Sequence, residues 1–222
     1  LSIAEIRDLS TTSYAILGWL AVRPWTTYEL AKQIRRNLRF FWPRAESRLY
    51  EEPQNLVAHG LATAERSLTG RRPRTTYAIT PAGREALARW LAGPSKPTAL
   101  WCEALVRVFF ADAAGPAELL AAIRSVRELA DDIQAAGRAV AREYLEGRAP
   151  FPERAPLSGL VFDFLWSFAE HLRGWSERSD AEVRRWEGAT AADKRERAYR
   201  VFRAGLEAGD HQLAHEDGRR DG

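Results

Sequence analysis

Apolar positions along the first ninety residues change period twice. Between Ser10 and Leu20, Tyr14, Ile16, Leu17 and Leu20 share one stripe of a 3.6-residue helix, with Ser10 or Thr11 as a hydroxyl cap. Pro24 in "AVRPW" breaks that helix. Thr26 or Thr27 caps a second helix, in which Tyr28, Leu30, Ala31 and Ile34 are predicted to face inward and Lys32, Arg35, Arg36 and Arg39 outward. "RFFWP" is a connector, and Pro43 suits the entry to a third helix over 44–59, closed by Gly60 at a left-handed C′ position. The period then falls to two. Residues 61–66 ("LATAER") and 74–79 ("RTTYAI") read as strands around a turn punctuated by Gly70 and Pro73. Thr80-Pro81 opens a fourth helix that runs to Ala92, and "GPSKP" follows as a linker. Three helices, a two-stranded β-wing and a fourth helix predict a winged helix-turn-helix domain over 9–92.

Beyond Pro97 the pattern is helical only, so the whole chain is expected to be mainly α. Leu119, Ile123, Val126, Ala130, Ile133, Gly137, Val140 and Tyr144 alternate four- and three-residue steps. Val161, Leu165, Phe168, Leu172, Trp175, Ser179, Val183 and Trp186 repeat the spacing. A second stripe (Leu120, Leu129, Ala136 and Leu145; Phe162, Trp166 and Ala169) widens each apolar face beyond a two-stranded seam. "GRAPFPERAP" separates the two helices, and Thr190 with Asp193 offers a capping box to a further short helix. The pattern predicts an α-helical dimerisation domain over 98–208 and a frayed, flexible tail over 209–222. Its expected dimer interface is Leu119, Ile123, Val126, Ile133, Leu165, Phe168, Leu172 and Trp175, because each helix carries more apolar surface than one partner covers.

Charge changes this picture more than composition does. Residues 1–92 hold 14 Lys/Arg against 8 Asp/Glu, a balance of +6, and residues 93–222 hold 19 against 22, a balance of −3. A basic footprint confined to a winged helix points to duplex DNA. In such a fold the third helix enters the major groove and the wing follows the phosphates. Arg44, Glu46, Ser47, Arg48 and Tyr50 are then the exposed reading face, with Arg44 or Arg48 fit for bidentate contact to guanine. Arg71, Arg72 and Arg74 would neutralise backbone or enter the minor groove, and Arg35, Arg36 and Arg39 would flank.

The chemistry of other residues narrows the class further. Aromatics of the second half raise two readings. Trp101, Phe162 and Trp166 suit an effector pocket that sandwiches a small aromatic molecule, whereas large aromatics at helical spacing are more often packing. His211 and His215 stand four residues apart beside Asp210 and Glu216, but no third metal ligand is evident, and no metal or other cofactor is expected. Cys102 is the single cysteine, which excludes an intrachain disulfide. No catalytic constellation is found, so an enzyme is not expected. Neither a membrane-length apolar run nor a signal-peptide pattern is present, and a cytoplasmic, nucleoid-associated protein is expected.

"SYAILGWL…YEL", a helix carrying "RLY", and then "GLA…GRRPRTTYAITPAGREALARWL" together resemble the PadR family of transcriptional regulators over about residues 10–92. Gly70, Arg72, Pro73, Tyr77, Ile79, Thr80, Gly83 and Arg84 carry the most specific part of the likeness. The helical half resembles that family only in length and periodicity. The resemblance implies a homodimeric repressor on a palindromic operator, released in some members by a small molecule. Two departures stand out. Thr26-Thr27 replaces a His-Gly or Ser-Gly pair, and Pro53 lies two residues later than the family's proline, where it is expected to kink the third helix. Two other classes remain: a protein-interaction winged helix that never touches DNA, and a small-molecule-binding helical protein with a vestigial wing.

Overall fold

The computed structural model describes residues 9–43, 50–69 and 72–220. The chain divides into two compact units, one ending at Ala99 and the other beginning at Leu100. The first contains α1 (Thr11–Val22), β1 (Trp25–Thr26), α2 (Thr27–Leu38), α3 (Glu52–Ala58), β2 (Ala62–Thr69), β3 (Arg72–Ile79) and α4 (Pro81–Ala92).

Local chemistry sets most of these boundaries. Ser10 and Ser13 form a reciprocal capping box that starts α1, and Thr26 and Glu29 form another that starts α2. At the end of α3, Gly60 takes a φ of 68°, its N–H donates to Val57 O, and the N–H of Leu61 donates to Leu56 O. That is a Schellman closure, with the left-handed residue that glycine adopts without strain. Thr80 then serves two elements. Its hydroxyl donates to Gly60 O at 2.8 Å and accepts from the N–H of Gly83 at 3.0 Å, so one side chain ends the hairpin and begins α4. A Cβ on Gly83 would lie 2.1 Å from Leu61 O, which restricts the fourth residue of "TPAG" to glycine.

The core of this unit is Ile16, Leu17 and Leu20 of α1, Trp25, Leu30 and Ile34, closed by Leu56, Leu61, Tyr77 and Ala86. Burying one leucine- or isoleucine-sized side chain of this kind is worth about 1.5–3 kcal/mol. Trp25 is anchored by its indole N–H, which donates to Trp19 O at 2.7 Å, and its ring meets Trp19 edge-on.

The structure departs from the sequence expectations in two places here. The sheet has three strands in the order β1-β3-β2, all antiparallel, because Trp25 and Thr26 pair with Tyr77 and Thr76. The expected pair of strands lengthens to eight residues each, closing at Thr69 opposite Arg72. The described part of the third helix begins at Glu52, which places Pro53 in the first turn of that part. The kink expected at Pro53 involves the carbonyl of residue 49 and lies outside the described residues. Residues 44–49, the expected first half of that helix, lie outside the described residues.

The second unit is helical. α5 (Glu103–Phe109) leads through a 3-10 turn at Ala111–Ala113 into α6 (Pro116–Leu145), a turn at Pro152–Arg154, α7 (Ala155–Arg184) and α8 (Ala191–Arg220). α6 and α7, each about 45 Å long at 1.5 Å per residue, run antiparallel. Leu119 and Ile123 meet Val183 and Trp186 at one end. Arg173 bonds Asp131 and Gln134 midway, and the Tyr144 hydroxyl meets Ser158 Oγ at 2.8 Å at the other end. Thr190 and Asp193 cap α8 as the capping box predicts. The helix is far longer than expected, since its backbone continues through Arg220 where a frayed tail over 209–222 was anticipated.

Candidate nucleic-acid interface

α2 presents the basic face of the first unit. Leu30, Ala31 and Ile34 are buried against the core, which turns Lys32, Arg35 and Arg39 to the exterior, with Arg36 half-buried. Tyr28 contradicts its predicted inward position, because it is 74% exposed. The reason is geometric: Tyr28, Lys32, Arg35 and Arg39 stand at steps of four, three and four, so they form one polar track on the outer side of the helix. Arg39 lies over the Phe40 ring, 4.4 Å from its centroid. The i, i+4, i+7, i+11 pattern was present in the sequence, but Tyr28 was counted as apolar rather than as an amphipathic side chain.

Of the expected wing and third-helix contacts, Tyr50 is exposed. Arg44, Glu46, Ser47, Arg48 and Arg71 lie outside the described residues. Arg72 opens β3 opposite Thr69. Arg74 is placed differently from the free cation the sequence suggested. Its guanidinium lies 3.3 Å from Oε2 of Glu29, while Arg23 reaches Oε1 of the same carboxylate, also at 3.3 Å. Arg23 also stacks on Trp25 at 3.5 Å and donates to Pro24 O. Neither Arg23 nor Glu29 stood out in the sequence, because nothing local couples positions 23 and 29 to a strand 45 residues downstream.

Glu29 is held as a carboxylate. Partial burial acts to raise its pKa, but hydrogen bonds from the side chain and backbone of Thr26, and the hydrogen bond and charge of Arg23, outweigh it and lower the value to about 2. Two arginines from different elements thus share one fixed anion at the start of α2.

A second polar network lies beneath the third helix. The Ser13 hydroxyl donates to Glu52 Oε2 at 2.8 Å, and the Trp42 indole N–H donates to Thr12 Oγ1 at 3.1 Å. Thr12, Ser13 and Glu52 are all buried, the last only 5% exposed.

In the second unit the residues expected to meet a partner chain divide. Leu119, Ile123, Val126 and Ile133 are buried within the protomer, inside the α6–α7 hairpin. They are therefore core, not a surface left for a second copy. On α7 the hairpin seam is Phe162, Trp166, Ala169, Arg173 and Ser176, one register away from the more apolar stripe that the spacing favoured. The displaced stripe, Leu165, Phe168, Leu172 and Trp175, is half-buried, with Trp175 against the Leu119–Ile123–Val183 cluster. Leu157, Leu160 and Phe164 are exposed beside it.

The expected effector pocket is not assembled within one chain. Trp101, 82% exposed, lines an open groove of about 890 Å³ with Leu100, Leu105, Val106, Phe109 and Phe110. Phe162 and Trp166 stack on each other at 5.5 Å over Gly137 instead. α5 packs at the Leu119 end of α6 through Val108, and Gly137 is about 27 Å further along that helix. Among the described residues no group of three His, Cys, Asp or Glu is placed to hold a metal, and the side chains of His211 and His215 lie outside that set. No helix among the described residues is long and apolar enough to cross a membrane.

Three helices, an antiparallel wing and the basic face of α2 define the first unit as a winged helix-turn-helix. Residues 16–89 match the Transcriptional regulator PadR-like family. Two curated relatives match in the same half. The Mycobacterium tuberculosis protein described as "Probable transcriptional regulator Rv1176c" is 34% identical over 86 residues, 38% of this chain and 46% of that one. The Bacillus subtilis "Negative transcriptional regulator PadR" is 29% identical over 79 residues, 35% and 43% of the two chains. The matched stretch thus spans less than half of either relative. The fold extends further than the sequence likeness. Bacillus subtilis PadR crystallised in complex with operator DNA superposes with a TM-score of 0.63 at 20% identity, covering 78% of this chain and 99% of that one. The same protein crystallised with p-coumaric acid gives 0.59 at 18% identity, covering 79% and 98%.

Proposed function

We propose that the protein is a sequence-specific, homodimeric transcriptional regulator that represses from a palindromic operator and is released by a small aromatic effector. The observation that carries this is the combination, in a domain similar to PadR-like regulators, of an outward Tyr28–Lys32–Arg35–Arg39 track with an antiparallel wing whose strands close at Thr69 opposite Arg72. The charges along that α2 track are cationic, as contact with a phosphate backbone requires. On this reading Arg44 and Arg48 read base edges, with Glu46, Ser47 and Tyr50 beside them. Arg35, Arg36 and Arg39 hold one flanking strand, and the wing arginines hold the other.

The second copy is supported by apolar surface that the protomer leaves open: Leu157, Leu160 and Phe164 on α7, the Trp101–Phe110 groove on α5, and Tyr199, Phe202 and Leu206 on α8. Exposed large apolar side chains grouped on one element in this way are what an interface with a second copy would cover. Trp101 supplies a flat, exposed indole for a planar effector, completed on this reading by the partner copy. The function is tested by titrating duplex DNA against salt. A fall in log K of several units per unit of log [salt] is expected, and a flat dependence overturns DNA binding. Sedimentation at micromolar concentration is expected to give a dimer, and quenching of tryptophan fluorescence by phenolic acids reports the effector.

A further inference from the structure

We infer that the first turn of α1 is a two-point mount that sets the position of the base-reading segment, and that Thr12 and Ser13 are thereby specificity-determining residues although neither faces DNA. The inference rests on the DNA-binding reading above and adds to it two residues from outside the helix-turn-helix pair and the wing.

The geometry is specific. Residues 43–51 contain every side chain assigned to the reading face, and the chain is tied to α1 immediately on both sides of them. On the upstream side Trp42, half-buried, donates its indole N–H to Thr12 Oγ1 at 3.1 Å. On the downstream side Glu52, buried, accepts from Ser13 Oγ at 2.8 Å. The two hydroxyls are adjacent in sequence and lie on one helical turn, so neither end can shift without the other registering it.

The turn itself is rigid. The Ser13 hydroxyl gives its only proton to Glu52, so in the 2.9 Å contact between the two serine hydroxyls Ser10 is the donor. Ser13 Oγ also accepts from the Ser10 N–H at 3.0 Å, and Ser10 Oγ accepts from the Ser13 N–H at 3.1 Å. The Ser13 hydroxyl therefore uses its one donor and both acceptor positions. Ile16, Leu17 and Leu20 fix the rest of α1 in the core. Burying a glutamate side chain is costly unless its oxygens are bonded, and the Ser13 hydroxyl supplies one such bond to Glu52.

Base readout needs side chains held within roughly half an ångström of their working geometry, whereas phosphate contact by flexible arginines tolerates more. Loss of either anchor is therefore expected to lower discrimination among sequences more than affinity for DNA in general.

The test uses the full chain and the duplex that the unmodified protein enriches from a random-sequence library, with a scrambled duplex as the comparison. Thr12→Val and Ser13→Ala are expected each to reduce the ratio of specific to non-specific affinity at least tenfold, with the salt slope on scrambled DNA unchanged. Thr12→Ser, which keeps the hydroxyl, is expected to retain the ratio. Trp42→Phe removes the N–H donor at the upstream anchor together with part of the ring, and is expected to lower the ratio at least as far as Thr12→Val, which keeps the test intact if Ser13→Ala fails to fold. A lowered melting temperature with an unchanged ratio in the folded variants overturns the mount and leaves DNA binding standing. Failure of the unmodified protein to enrich any sequence overturns the DNA-binding reading, and the mount with it.

Discussion

The two units of this chain are specified in different ways. The winged-helix unit is punctuated by residues that allow only one local geometry: Gly60 at positive φ, Thr80 bonded to two elements, Pro81 at a helix start, and Gly83 against a carbonyl. The helical unit is specified by period. A period says that a helix has an apolar face, but it does not say which neighbour covers that face. α6 shows the consequence, because its heptad residues satisfy an intrachain hairpin as readily as a dimer seam. Punctuation fixes both position and partner, while period fixes the element alone.

The comparison is broken most severely at the glycines. Gly83→Ala places a Cβ 2.1 Å from a backbone oxygen that cannot rotate away. A loss of about 3 kcal/mol or more is expected, at the upper end of overpacking costs, read by denaturant unfolding of the full chain. Next in size is the test of what covers the helical unit. Leu160→Glu with Phe164→Glu alters only exposed α7 positions, so the hairpin should keep its helix content while sedimentation shifts from dimer to monomer. A dimer that survives both changes would move the interface to another face.

A smaller effect distinguishes the electrostatics of the first unit. The folded pKa of Glu29, about 2, lies below its ordinary value near 4.5. Its contribution to stability is therefore fully present above the ordinary value and is lost as pH falls toward 2. Glu29→Gln is expected to be destabilised relative to the parent at pH 7, with the gap narrowing steadily below pH 4.5. Thermal melts across that range check the sign, and a gap that widens on acidification contradicts it. The smallest effect is expected at Gly137→Ala. There the new Cβ meets the Phe162 and Trp166 rings at 3.3 Å, contacts that side chains relieve by small shifts, and alanine recovers up to about 1 kcal/mol of helix propensity. The net change should lie near zero. Chemically the same substitution, it separates the two kinds of specification by several kcal/mol.

The winged-helix order, its caps and the αL turn at Gly60 were legible in the sequence because each depends on neighbours within four residues. β1 was not, since two residues at Trp25–Thr26 become a strand only by pairing with β3. Tyr28 is legible only when its steps to Lys32, Arg35 and Arg39 outweigh the apolar character of its ring. The α7 register was missed for a related reason. Its buried seam carries Arg173 and Ser176, which are satisfied by Asp131, Gln134 and a backbone carbonyl, so the seam is less apolar than the face beside it. The Arg74–Glu29 pair and the α1 hydroxyl anchors join residues 30 to 45 apart, a separation at which local pattern carries no information.

The double role of Thr80 also has a kinetic side. Its bonds to Gly60 and Leu61 close a loop of about twenty residues that contains the whole hairpin, and most of that loop's pairing is local. The bonds from Thr12 to Trp42 and from Ser13 to Glu52 close separations of 30 and 39 residues. Doubling a loop adds only about 0.6 kcal/mol of closure entropy, or about threefold in rate. The bias is modest but one-directional: the wing and the start of α4 are expected to assemble before Trp42 and Glu52 are seated on α1. Amide exchange in the native state should rank them in the same order, with protection at Tyr77 and Ile79 outlasting protection at Asn55 and Leu56. The contacts of Trp42 and Glu52 with α1 are then the last to be fixed and the first to loosen.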